Sequence, residues 1–439
     1  MIARLVAARR SPRTTEGKFE LLDRVLHHYE RHPLRPLRRA AIDRAIKWIL
    51  ARQEADGGWG GIQPPWVYSL LALHLEGLPL DHPVIRKGFE GLDRFTIDDD
   101  LGRRIECCQS PVWDTALAMI ALSDAGLPPD HPALVKAAEW TVSQEIRSAG
   151  DWAVKRPGLE PSGWAFEFEN DNYADTDDTA IVGLALRRIR LPDGADADTV
   201  DRVDPIDAAC GRARRWLEGM QSEGGGWGAF DADNTRDLCR RLPFCDFGEV
   251  IDPPSADVTA HVIEFLAAEP NRDLGTLRAG RQWLVDQQEE DGSWFGRWGA
   301  NHVYGTCAAL TALQAAGVHC YDRPVRRAVK WLEEHQNADG GWGEDLRSYV
   351  DDRWRGRGES TASQTAWALI GLLASGVNGD LGARGVRWLV DNQREDGTWD
   401  EPYFTGVGFP GDFYINYHLY RQVFPVSALG RYLSWKGVK

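Results

Sequence analysis

The stretch Glu169–Ala180 reads ENDNYADTDDTA and sets Asp175, Asp177 and Asp178 within one turn of chain. Three carboxylates this close repel one another, so at least one must hold its proton above the usual carboxylate range. A protonated carboxyl kept beside ionised ones is a Brønsted acid. The same residues also read as a helix start, with Asp175 as N-cap and two first-turn acids favoured by the helix dipole. The apolar run IVGLAL follows at once and predicts a buried helix. The spacing suits either role.

A second cluster lies in CDFGEVIDPPSADVTAHVIEF, residues 245–265, where Asp257 and His261 stand one helical turn apart. A hydrogen-bonding or charged histidine beside the aspartate turn would sharpen the acidity of one carboxyl. The third class is aromatic. It comprises Trp113 in SPVWDTALA, Trp164, Phe166 and Phe168 in GWAFEFEN, and Phe230 in GGWGAFDADN. Trp298 and Tyr304 follow in WFGRWGANHVYGT, then Phe409, Phe413, Tyr417 and Tyr420 in GVGFPGDFYINYHLYRQVFP. Any single ring can serve a core, but flanking glycines and prolines place these on loops and helix mouths. Rings facing a cavity offer negative faces to a cation, about 2 kcal/mol each when desolvated. An acid beside an aromatic-lined apolar cavity suits carbocation chemistry.

Metal chemistry has no comparable signal. There is no HExxH, no DDxxD and no Cys/His ligand set. The aspartates lack the second acidic cluster and phosphate-binding cations of a magnesium–diphosphate site. No Walker or Rossmann glycine loop appears, so neither metal nor cofactor is expected.

The elements that must position these groups recur through the chain. The repeat is Trp, four residues, Gln, five residues rich in acid and glycine, then Trp. It occurs as Trp48–Gln53–Trp59, Trp216–Gln221–Trp227, Trp283–Gln288–Trp294, Trp331–Gln336–Trp342 and Trp388–Gln393–Trp399, with a degenerate copy at Trp140–Gln144–Trp152. Each copy reads as a helix ending near the Gln, a glycine turn and a following apolar helix. The Gln amide is expected to bond free backbone groups at helix ends while the Trp ring packs over it, making a structural clasp. Strand signals are scarce, so the fold class is all-α, with helical hairpins repeated until they close into a barrel or toroid. The inserts 192–205 and 345–360 read as solvated surface loops.

Bulk properties agree. The 439 residues carry 43% hydrophobic and 27% charged side chains, a soluble globular composition, and a net charge of −15 that argues against nucleic acid. Cysteines at 107, 108, 210, 239, 245, 307 and 320 show no CxxC pair, and such a scatter suits reduced thiols in a cytosolic compartment. No run approaches the ~18 to 20 apolar residues of a spanning helix.

Taken together, these motifs resemble the squalene–hopene cyclases, class II triterpene cyclases. The repeats are similar to that family's QW motifs and YADTDDTA to its DxDD acid motif. GGIQPPWVYSL, SPVWDTALA, GDWAVKRP, PPSADVTAHV, GSWFGRWG, STASQTAWAL and GFPGDFY resemble further blocks in the family's order, from about residue 21 to the end. The resemblance implies a catalytic (α/α)6 barrel, the terpenoid cyclase toroid, over 96–439. Residues 1–95 would be the remnant of a second, inserted α-barrel with a membrane-docking helix. The family has a long further stretch before the point matched by Met1, so the chain is expected to be N-terminally incomplete and poorly active alone.

The resemblance also implies roles. Asp177 would protonate the terminal double bond of squalene, flanked by Asp175 and Asp178 and polarised by His261. Trp113, Phe166, Phe230, Trp298, Phe409 and Phe413 would stabilise successive cations, with Tyr304, Tyr417 and Tyr420 around them. Trp59, Gln63 and Pro64 would also contact substrate, the last two at the far end where the cascade terminates. Phe244 and Cys245 would form the channel constriction. Leu22, Val25 and Leu26 would face the membrane. The family works without metal or cofactor, as a homodimer peripheral to the inner face of the cell membrane, on the cytoplasmic side. This chain departs from the family at Ala174, where Pro is common, at Val407, where Thr is common, and mildly at Phe230. Two other readings stand beside this one: cyclisation of another linear polyprenyl chain, and an inactive isoprenoid-binding barrel remnant. A protein prenyltransferase β-subunit shares helical-barrel architecture, but the zinc ligands are missing.

Overall fold

The structure, a computed structural model, describes residues 14–192, 204–236, 251–376 and 379–438. The expected all-α character holds. The helices α1 (Thr15–Arg31), α2 (Arg35–Ala51), α3 (Gln63–Leu75) and α4 (Pro83–Arg94) form an N-terminal unit. A hairpin of β1 (Thr96–Asp99) and β2 (Gly102–Ile105) leads on to α5 (Pro111–Asp124), α6 (Pro132–Ser143), α7 (Thr176–Leu186) and α8 (Pro205–Met220). Then come α9 (Ala256–Ala268), α10 (Leu274–Asp286), α11 (His302–Ala315), α12 (Arg323–Glu334), α13 (Ala362–Ala374) and α14 (Asp380–Asp391). A second hairpin, β3 (Gly406–Phe409) and β4 (Phe413–Ile415), precedes α15 (Tyr420–Trp435).

The helices α7 (TDDTAIVGLAL), α11 and α13 (ASQTAWALIGLLA) bury nearly every residue. A helix without a polar face must sit inside. The helices α5, α7, α9, α11, α13 and α15 pack each on the next, and α15 returns to α5, so these six close a ring. The amphipathic helices α6, α8, α10, α12 and α14 lie outside it. At the closing seam a Cβ on Gly430 would lie 2.2 Å from the Asp124 carbonyl oxygen, so α15 approaches α5 more closely than any side chain allows. Ser427 and Arg431 donate to the Asp124 carboxylate at 2.6 and 2.7 Å. Two hydrophobic cores result, one spanning Val112–Ala428 and a smaller one around Trp59, Trp66 and Phe95.

The repeat is the clasp expected of it, with one refinement. Gln53, Gln221, Gln288, Gln336 and Gln393 each donate to the glycine carbonyl four residues on. The first four also reach the opening turn of the next outer helix, at Val84, Thr276, Pro324 and Leu381. The indoles do more than pack. Trp59, Trp227, Trp294, Trp342 and Trp399 donate Nε1–H to the carbonyl ten residues back, in the last turn of the preceding helix. They thereby satisfy a group that a helix end leaves orphaned.

The degenerate copy departs from expectation. Trp152 Nε1 finds no partner among the described residues. The helix-end carbonyl of Thr141 instead receives Nε1–H of Trp164 at 2.7 Å. The backbone N–H of Trp164 donates to Thr179 Oγ1 at 3.0 Å, as Trp227, Trp294 and Trp342 donate to Thr259, Thr306 and Thr365. Trp164 is therefore the clasp residue of this hairpin, and the intervening loop carries Trp152.

The smaller unit meets the barrel at the turn Gly57–Ile62. Glu54 Oε1 accepts the Gly60 N–H at 2.7 Å, and a Cβ on Gly61, which holds φ +67°, would lie 2.5 Å from the Glu167 carboxyl carbon. Each of these two glutamates leaves one buried oxygen without a partner among the described residues. Burial, with the neighbouring Glu54 charge in the case of Glu167, pushes both up to about 8.

Two outcomes follow. Trp164→Phe and Trp152→Phe remove similar volumes, but only the first removes a hydrogen bond; the urea midpoint should show Trp164→Phe costing about 1 kcal/mol more. Equal losses would mean that the Thr141 bond is energetically idle. The unfolded glutamates titrate near 4.5 and the folded ones near 8. Across that window the folded chain keeps protons that the unfolded chain has released, so this pair lowers stability as pH rises, and the loss levels off above pH ~8. Glu167→Gln should therefore melt with the parent near pH 4.5 and at least ~3 °C above it near pH 8. A gain independent of pH would place the carboxyl in water.

Candidate active site

The acid turn sits where α7 begins inside the ring. Asp175 is its N-cap, with extended backbone at φ −109° and ψ 133°, and its Oδ1 accepts the N–H groups of Asp177 at 2.6 Å and Asp178 at 3.2 Å. The turn is pinned from three sides. Asp175 N–H donates to the Trp164 carbonyl at 2.8 Å. Thr176 N–H and Oγ1 donate to the carbonyls of Ala229 and Gly228, both at 2.8 Å. Thr179 Oγ1 donates back to the Asp175 carbonyl at 2.5 Å. All three carboxyls are buried.

Burial and the neighbouring Asp177 charge raise Asp175 well above the carboxylate range. Burial and both aspartate neighbours do the same to Asp178, whose Oδ1 has no partner among the described residues. Burial first, and after it the repulsion expected from the spacing, favours the protonated forms of Asp175 and Asp178.

Asp177 is singled out by its partner. His261, on α9, places Nδ1 2.6 Å from Asp177 Oδ1. Burial opposes a charged imidazole here, but the charge and hydrogen bond of Asp177, with Asp257 and Glu264, outweigh it and raise the His261 pKa. An imidazolium here is a charged hydrogen-bond donor to Asp177 Oδ1. Asp257, one turn earlier on α9, does not touch Asp177. Its Oδ2 accepts the backbone N–H groups of Arg297 and Trp298, both at 2.8 Å, and so fixes the loop carrying Trp298.

A cavity of about 480 Å³ opens in front of the acids, walled by both units. Asp175, Asp177 and Asp178 lie on its surface with Trp113, Phe166, Phe230 and Trp298. Phe409 and Phe413 of the second hairpin, Tyr417, Tyr420 and, from the smaller unit, Trp59 share that wall. The rings brace one another. Trp113 Nε1–H donates to the Tyr420 hydroxyl at 3.0 Å, Tyr417 stacks on Tyr420 at 4.6 Å, and Phe230 meets Trp298 edge-on at 6.0 Å. Burial raises the phenols of Tyr304, Tyr417 and Tyr420 well above their usual value, so each stays a neutral hydroxyl.

Some expected residues fall elsewhere. His261 and Tyr304 line a separate space of about 80 Å³ within the ring, so the His261–Asp177 bond joins the two spaces. Gln63 and Pro64 open α3, and their neighbours Ile62 and Pro65 reach the cavity wall in their place. Phe244 and Cys245 lie outside the described residues. Among the described residues no group of three or more His, Cys, Asp or Glu could hold a metal ion.

Sequence reasoning passed over Arg297 and Asp252. Arg297 lies on the cavity wall with its guanidinium 4.0 Å over the Trp298 ring, donating to Asp252 Oδ1 at 3.1 Å and to the Gly408 carbonyl at 2.7 Å. It locks Trp298 to the second hairpin. The block GSWFGRWG contained the signal, an arginine flanked by glycine and tryptophan, but its carboxylate lies 45 residues away in sequence.

Comparison with known proteins carries the rest. Residues 109–434 match the squalene-hopene cyclase C-terminal domain and residues 3–101 the N-terminal domain. The chain is 52% identical over 417 residues to the squalene–hopene cyclase of Alicyclobacillus acidocaldarius, covering 94% of this chain and 64% of that one. It is 41% identical to the squalene–hopene cyclase of Zymomonas mobilis, again over 64% of the relative's length. It thus spans less than two-thirds of the length of these two relatives. Among solved structures, ent-copalyl diphosphate synthase from Streptomyces platensis shares the fold at a TM-score of 0.52 and 21% identity, over 80% of this chain and 55% of that one. By the domains it matches and the helical ring it builds, the chain belongs to the squalene–hopene cyclase family.

Proposed function

We propose that the chain performs the protonation-initiated polycyclisation of squalene to hopene and hopanol, as a class II triterpene cyclase. The observation that carries this reading is the 2.6 Å contact of His261 with Asp177 on the wall of an aromatic cavity. Asp177 delivers its proton to the terminal carbon–carbon double bond of the folded substrate. The π electrons form the new C–H bond, and the neighbouring carbon becomes a cation. Each further double bond attacks that cation in turn, forming a ring bond and passing the charge along. Trp113, Phe166, Phe230, Trp298, Phe409 and Phe413 face the moving charge, about 2 kcal/mol for each desolvated contact. Loss of a proton from the last cation gives hopene, and capture of water gives hopanol. Gln63 and Pro64, at the start of α3 between the wall residues Ile62 and Pro65, would serve that terminating end, and Trp59 would contact the substrate from the wall.

Asp175 and Asp178 act by remaining protonated, so that the carboxylate left on Asp177 after the transfer, held by His261, is not joined by two more charges in the same turn. Exclusion of bulk water protects the later ones. That demand falls on the junction between the two units, where both supply the cavity wall.

Docking on a membrane surface belongs to the same reading. Squalene is an apolar chain dissolved in lipid. On α1, Leu21, Leu22, Val25 and Leu26 are exposed along one stripe. No helix among the described residues is long and apolar enough to cross a membrane. The protein would therefore lie on a membrane surface by α1; the family resemblance adds the inner face of the cell membrane and a homodimer.

Purified protein incubated with squalene in detergent should give hopene and hopanol by gas chromatography–mass spectrometry. Asp177→Asn should lower their formation at least ~100-fold with the circular dichroism spectrum unchanged. Undiminished product from this variant would remove Asp177 from the acid role. In a vesicle flotation assay, Leu22→Glu with Val25→Glu should leave most of the protein unbound while the parent floats; equal flotation would move the docking face elsewhere.

A further inference from the structure

Cys107 and Cys108 join the first hairpin to α5, and their sulfurs lie 3.7 Å apart. Both residues are half-buried, and Cys108 lies on the cavity wall together with Trp113 and Tyr417. Neither belongs to the acid machinery or to the clasps. Their backbone is held firmly: the Cys107 carbonyl accepts the Gln63 N–H at 2.8 Å, and Cys108 pairs with Ile62 in an isolated antiparallel bridge. The pair thus sits where the smaller unit is stitched to the barrel.

We propose that Cys107 and Cys108 form a chelating dithiol site for one soft, thiophilic centre, of which trivalent arsenic is the type. The sulfurs stand too far apart for the ~2.05 Å of a disulfide, yet close enough for both to bond one larger atom placed between them. Soft thiolates favour such centres. The Cys108 thiol hydrogen-bonds the Cys107 sulfur and, against the effect of burial, brings Cys107 down to about 7, so that a thiolate is available near neutral pH. The other described cysteines offer no such pair. Cys210 and Cys307 are buried and pushed up to about 12, and the Cys320 sulfur contacts only a histidine ring.

With phenylarsine oxide the step is a condensation. Two S–As bonds form, the As=O bond breaks, and both thiol protons leave with that oxygen as one water. Arsenic stays trivalent throughout, so no oxidant or reductant is needed. The phenyl group left on arsenic would project from the Cys108 wall and obstruct the cavity beside Trp113.

The test is intact mass spectrometry of the full-length chain after exposure to phenylarsine oxide. One adduct per chain is expected, resisting a monothiol and reversed by 2,3-dimercaptopropanol. Cys107→Ser and Cys108→Ser should each make the adduct labile to monothiol, and the double variant should carry none. No adduct on the parent, a monothiol-resistant adduct on either single variant, or an adduct surviving in the double variant would each overturn the assignment. A second measurement rests on the cyclase reading: loading should cut squalene conversion at least ~10-fold in the parent and leave the double variant unaffected. Because the mass shift is read without substrate, a failure of that reading leaves the dithiol result intact, and unimpaired conversion by the loaded parent would overturn obstruction of the cavity.

Discussion

The constraint behind this structure is that the buried end of an outer helix, where it turns in toward the ring, must not leave its carbonyls unsatisfied. A buried carbonyl without a partner costs about 1–3 kcal/mol, and this fold repeats the problem at every hairpin. The answer is one tryptophan used twice. Its indole N–H closes the outgoing helix, and its backbone N–H meets a threonine on the first turn of the incoming one. The accompanying glutamine ties the glycine turn to the next outer helix. Position and direction of the inner helices α7, α9, α11 and α13 follow from these few bonds.

The acid motif is a modified copy of the same device. Thr179, Thr259, Thr306 and Thr365 occupy one register of the repeat, and the residues two places earlier are Asp177, Asp257, Tyr304 and Ser363. At that place Asp257 receives the backbone of the Trp298 loop, and Ser363 bonds the Glu401 carboxylate. Asp177 holds no such loop. Its carboxyl is free of a structural duty and meets His261 and the cavity instead. Asp175 takes over the task of closing the helix start, which explains why so many carboxyls stand together. One serves the backbone and one the cavity wall. Asp178 keeps an oxygen unpaired among the described residues.

Much of this was legible in the sequence because it is local. The Trp–Gln–Trp spacing is a property of one helix end and one turn, and the aspartates cap the helix that their own apolar run announces. Family blocks then located most of the cavity rings, which arrive on the wall together. What escaped depends on distance along the chain or on loop length. Trp164 was hidden because an inserted loop moved it beyond the usual interval and left Trp152 where the pattern looked for it. The Asp252–Arg297 pair and the two glutamates at the junction are meetings between remote segments, and no spacing rule signals them. Tyr304 was placed near the site by resemblance, yet its position on α11 puts it behind the acid rather than before it.

The seam between α5 and α15 has a consequence for how the molecule comes into being. Every clasp joins hairpins that follow one another, so each can form as the chain leaves the ribosome, in the manner of a linear repeat array. The seam joins residues more than 300 positions apart, through Trp113 with Tyr420 and Asp124 with Arg431. Such a contact forms late, because its loop-closure entropy must be met before any reward is collected. Until α15 is made, the inner helices form an open arc with an apolar concave face and no chamber. Synthesis of α15 therefore converts a sticky crescent into a closed ring, and chaperones would be needed most in the interval just before it.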